Sequence, residues 1–71
     1  MNAEQRTEKH AKTLHDLLVR MQAATIAMPQ QTKVEWGHAE QMQDALRWSV
    51  YAAHALGLVN EDEARELGFT V

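Results

Sequence analysis

Apolar positions recur at alternating spacings of three and four along the first third of the chain: Ala11, Leu14, Leu18, Met21, Thr25 and Met28. That is the period of a helix with one apolar stripe, here widened by Leu17, Ala24 and Ile26. Asn2 precedes the pattern, and Gln5 follows it at the spacing of a capping box. The pattern predicts a first helix over about 3–28, stopped by Pro29 because proline biases the residue before it away from the α region. A short link, "PQQT", follows. Thr32 and Glu35 repeat the capping-box spacing and predict a second helix over about 33–56. Gly37 costs roughly 1 kcal/mol against Ala inside a helix, which makes His38 an alternative start. Gly57 suits the position just past the end. In "NEDEARELG", Asn60 is a cap and Glu63 completes a box. The acids Glu61, Asp62 and Glu63 lie where the helix dipole favours them. Gly68 closes a short helix over about 61–67. No strand pattern, internal repeat or low-complexity tract is read.

Two long helices of similar length joined by four residues predict an all-α chain. Its architecture is expected to be an antiparallel helical hairpin plus a short C-terminal helix, one domain over 1–71. The second helix is too apolar for that hairpin alone. One seam is Met42, Leu46, Ser49, Ala53 and Leu56; a neighbouring one is Ala45, Trp48, Ala52, Ala55 and Val59. With Val50 they cover more than half the circumference, whereas one partner helix covers a stripe of about 100°. The second seam, Ala45–Trp48–Ala52–Ala55–Val59, is therefore expected to be an oligomer interface. A homodimer forming a four-helix bundle is the simplest such assembly. The competing arrangement is a monomeric three-helix bundle in which "ELGFTV" covers that seam.

Length sharpens the expectation. A chain of 71 residues gains only about 3–5 kcal/mol from its own core and usually needs a staple. It has no cysteine, so disulfides and thiolate zinc sites are excluded. Self-association remains. The N-terminal stretch "MNAEQRTEKH" shows no secretory pattern, and no apolar run is long enough to span a bilayer. The expectation is a cytoplasmic, soluble protein with no membrane contact.

The formal charge is −3. Over residues 1–59 basic and acidic groups balance, and the excess lies in the acidic tail. No basic stripe is available for phosphate contacts, so nucleic-acid binding is not expected. A helix-turn-helix reading of "HALGLVNEDEARELGF" fails for the same reason, because its second helix would be acidic. The "HAE" at His38–Glu40 matches half of a zinc-deaminase signature, but the cysteine half is missing. No phosphate loop or nucleophile elbow is present. The chain is expected to be no enzyme, with no cofactor and no metal.

Two sets of residues remain as candidates. Arg47, Tyr51 and His54 share one helix face. In an antiparallel hairpin, position i meets roughly position 61 minus i for a link of this length, which brings Arg6 and His10 near them. Arg6, His10, Arg47, Tyr51 and His54 are thus the candidate ligand-binding set for an anionic or nucleotide-like molecule held between chains. Trp36 lies off both seams. It either closes the bundle end or stands free as an anchor for another protein, together with the acids Glu61, Asp62 and Glu63. The reading preferred here is a small homo-oligomeric interaction module that binds and modulates, for instance by inhibition, a partner protein. The alternative is an oligomeric small-molecule binder.

Overall fold

A computed structural model of the chain describes residues 1–31 and 33–71. It contains three α-helices and one 3₁₀ turn in the order α1 (Ala3–Ala27), the 3₁₀ turn (Met28–Gln30), α2 (Trp36–Ala55) and α3 (Glu61–Glu66). The all-α expectation holds. The contacts fall into two compact units, Met1–Val34 and Glu35–Val71, and each is described by itself.

The first unit is essentially α1. Its capping box is complete: the Gln5 amide donates to the Asn2 side chain at 2.8 Å, and the Asn2 amide donates to the Gln5 side chain at 3.1 Å. The threonine hydroxyls inside α1 donate back to carbonyls one turn earlier. Thr7 donates to the Ala3 carbonyl and Thr13 to the Lys9 carbonyl. Thr25, a seam position, donates to the carbonyl of Gln22 at 2.7 Å, which leaves its methyl group as its apolar contribution. Pro29 acts differently from the expectation. Met28 keeps an α conformation (φ −63°, ψ −45°) and begins a 3₁₀ turn whose second residue is Pro29. Proline lacks the N–H that the α ladder needs, while its fixed φ still suits the first turn of a helix. The direction changes only at Gln31, which is extended.

The second unit starts later than the sequence pattern suggests. Thr32, the expected cap, lies outside the described residues. The helix begins at Trp36 instead of about 33, with Glu35 as its N-cap in an extended conformation (φ −106°, ψ 166°). An extended Glu35 cannot be helical, so Lys33 and Val34 fall in the link. His38 takes the N3 role usually held by Glu or Gln, with its Nδ1 accepting the Glu35 amide hydrogen at 3.0 Å. Gly37 then sits at the second helical position rather than deep inside.

Both helices of this unit end in the same way. Gly57 (φ 76°) donates to the His54 carbonyl and Leu58 donates to the Ala53 carbonyl. Gly68 (φ 97°) donates to the Arg65 carbonyl and Phe69 donates to the Ala64 carbonyl. Each pair of bonds is a Schellman motif, which requires a left-handed residue that glycine adopts without steric cost. The two stops come one residue before the expected ends: Leu56 and Leu67 are C-caps. The first stop turns the chain so that Asn60 can cap α3, with its side chain accepting from the Glu63 amide at 2.8 Å. Only this half of the expected box forms among the described residues.

The turn packs α3 against α2. Ala64 is fully buried and Val50 is 4% exposed, and among the described residues these two form the core. Tyr51, Ala53, His54, Val59 and Phe69 are half-buried. With so little burial, the cap matters. Asn60→Ala is expected to lower stability by about 1 kcal/mol, read as a lower urea midpoint. An unchanged midpoint would show that the Asn60 bond to α3 carries no stability.

Candidate interaction site

Helix geometry divides α2 into two faces. Each residue advances about 100° around the axis. Val50 marks the buried face. Trp48 and Ala52 each lie two residues from it and so about 160° away, with Ala55 beside them. The pattern of exposure follows this division. Trp48 is 65% exposed, Ala52 and Ala55 are exposed, and Ala45 and Val59 at the two ends of the stripe are half-buried. The seam expected to be an interface is therefore open along its centre. The C-terminal "ELGFTV" does not lie over Trp48, as a closed three-helix monomer would need. On the other seam, Met42, Ser49 and Ala53 are half-buried, while Leu46 and Leu56 are exposed.

Trp48 does not project alone. Its ring meets Tyr51 edge to face, with centroids 5.6 Å apart and planes at 81°. That arrangement is favoured by the ring quadrupoles and fixes the indole on the helix surface. Ser49 donates its hydroxyl to the Ala45 carbonyl at 2.7 Å. A polar group is thereby removed from competition at the edge of an otherwise apolar stripe.

The candidate ligand set is distributed over both units. Arg6 and His10 stand one turn apart on α1, both exposed. On α2, Arg47, Tyr51 and His54 are half-buried along one face. Arg47 has a partner already: its guanidinium lies 3.5 Å from the Asp44 carboxylate, one turn back. An anion arriving there meets that carboxylate as well as the cation. Among the described residues no group of three or more His, Asp or Glu is placed to hold a metal ion.

Trp36 occupies the first position of α2 and is 85% exposed, beside Val34 at 53%. The acids Glu61, Asp62 and Glu63 form the exposed first turn of α3. Asp62 is ion-paired with Arg65 one turn on. Their position satisfies the helix dipole, which accounts for their presence without any partner. No helix among the described residues is long and apolar enough to cross a membrane.

Sequence reasoning missed two features. One is His38 as a capping residue, for which a neutral imidazole in place of the usual carboxylate or amide gives little signal. The other is a short recurrence, Ala-x-x-Leu-Gly followed by an apolar residue, at 53–58 and again at 64–69. It encodes the paired Schellman stops, and the matching Leu-Gly pairs were the visible sign of it.

No protein-family model, curated protein or solved structure matches this chain.

Proposed function

We propose that the chain is a homo-oligomeric helical interaction module. In this reading a helical hairpin pairs with a second copy in a four-helix bundle, and the assembly binds and modulates a partner protein. The observation that carries the reading is α1: a helix of 25 residues that buries none of them. Helices of that kind draw most of their stability in water from packing an amphipathic face. Leu14, Leu17, Leu18, Val19 and Ile26 are all exposed on it. The open centre of the Trp48 stripe supports the same reading, because such surfaces on soluble chains mark contact sites. Trp36 supports the partner. A tryptophan this exposed offers a large apolar anchor of the kind that dominates interface energies, and the acids of α3 supply a charged rim.

The test is native mass spectrometry of untagged protein taken from its producing cell. A mass that is a multiple of the chain supports self-association, and a bare monomer refutes it. A further polypeptide, held by the wild type and lost from Trp36→Ala at unchanged oligomer mass, supports the partner reading. Retention by Trp36→Ala and equally by the triple replacement of Glu61, Asp62 and Glu63 with Ala removes the assigned surface.

A further inference from the structure

Charge divides along the same boundary as the fold. Residues 1–34 carry five basic and three acidic side chains, a formal +2. Residues 35–71 carry two basic and seven acidic ones, a formal −5. A count that runs across the boundary to residue 59 hides this asymmetry. It bears on which element of a second copy covers the open Trp48–Ala52–Ala55 stripe of α2. If α2 met α2 of the other copy, two acidic units would be brought together, although α2 itself carries only Glu40 and Asp44 against Arg47 and most of the acids lie on α3. If it met α1 of the other copy, a basic unit would lie on an acidic one. Like-charge juxtaposition disfavours the first and opposite charge favours the second. Chemistry on the apolar side agrees. α1 offers the exposed Leu14, Leu17 and Leu18, which are the branched aliphatic side chains that interlock with the small Ala52 and Ala55 around one large ring.

We infer that the Trp48–Ala52–Ala55 face of α2 docks α1 of a second copy, in a reciprocal contact between the basic unit of each chain and the acidic unit of the other. This rests on the self-association proposed above and adds which surfaces meet. A contact of this kind closes with two-fold symmetry, each copy giving its α1 and receiving the other's. It is also steered by charge, so it weakens as salt rises.

A charge-swap experiment on the full chain tests it. The first variant carries Arg6→Glu, Lys9→Glu and Lys12→Glu. Each substitution moves the charge by two, so the +2 unit becomes −4. Glutamate is about as good a helix former as arginine and lysine, so the variant is expected to keep its helices. The second variant carries Glu40→Lys, Glu63→Lys and Glu66→Lys, turning −5 into +1. Sedimentation equilibrium is run on each variant alone and on the equimolar mixture, with circular dichroism to confirm helix content. The expected result is that the first variant alone associates at least roughly tenfold more weakly than the wild type, as all its units are acidic. The mixture recovers association as a heterodimer. For the wild type, the dissociation constant rises about tenfold or more between low and high salt. Tighter homodimerisation of the second variant together with no effect of the first would place α2 against α2 and overturn the inference. A mixture that fails to recover would overturn it too. A wild type that is monomeric throughout would instead remove the self-association itself, which keeps the two failures distinct. If this triple lysine variant loses helix content, Glu40→Lys, Glu61→Lys and Glu66→Lys, which also turns −5 into +1, serves in its place, because it leaves Glu63, whose amide bonds to the Asn60 cap, unchanged.

Discussion

Ala52→Glu is expected to convert the protein to a monomer and to reduce the helix content of α1 with it. Ala52 is exposed at the centre of the Trp48 stripe. Within the single chain the substitution is nearly silent. Glutamate is a good helix former, and surface changes of this type usually stay within about 0.5 kcal/mol. In an assembly that covers the stripe, the same carboxylate must lose its water without a partner. That costs several kcal/mol in practice, or about a hundredfold or more in the dissociation constant. Sedimentation velocity reads the loss of the oligomer. Far-UV circular dichroism reads the consequence for α1, whose exposed leucines then have nothing to pack on. Gln43→Glu, on the opposite side of α2 and also exposed, introduces the same charge away from the stripe and leaves both signals unchanged. An oligomer that survives Ala52→Glu with its melting temperature still dependent on concentration excludes this stripe as the interface.

The elements were legible in the sequence because their signals are local. Caps at Asn2 and Asn60 and stops at Gly57 and Gly68 each rest on the conformational needs of one or two residues, and the structure places all four as expected. The start of α2 was not legible because two cap arrangements compete there. Ser, Thr, Asp and Asn are the stronger caps, which favours Thr32 over Glu35, yet a histidine three residues after Glu35 returns the second hydrogen bond. Pro29 was misread for a related reason. The steric bias against a helical residue before proline is a preference, and Met28 resists it because the turn that follows is itself helical in sense. The candidate surface was legible as a stripe but not as a partner. Periodicity says that Trp48, Ala52 and Ala55 share a face. What lies on that face depends on another chain, about which the order of residues in this one carries only charge and shape.

Ala64→Asp is expected to detach α3 while leaving α1 intact. Ala64 is fully buried, and its carbonyl accepts the Phe69 amide that closes the second Schellman stop. The site has room for a methyl group. A carboxylate there must push neighbours aside, at typically about 1–3 kcal/mol, and must also be desolvated with no hydrogen-bond partner. Because α3 has only 6 residues, it cannot persist as a helix without its packing. Amide hydrogen exchange locates the effect. Protection is lost at Phe69 and at Glu63, whose amide bonds to Asn60, while the amides of α1 keep theirs at a protein concentration where the oligomer is intact. Glu66→Asp is the matched control on an exposed position of the same helix and changes protection little. The contrast also separates two roles for the acidic turn. If Glu61, Asp62 and Glu63 contact a partner as a rigid helical surface, Ala64→Asp abolishes capture although every acid is still present. If capture survives, the acids act as an unstructured charged segment, and the packing of α3 on Val50 serves only to finish the fold.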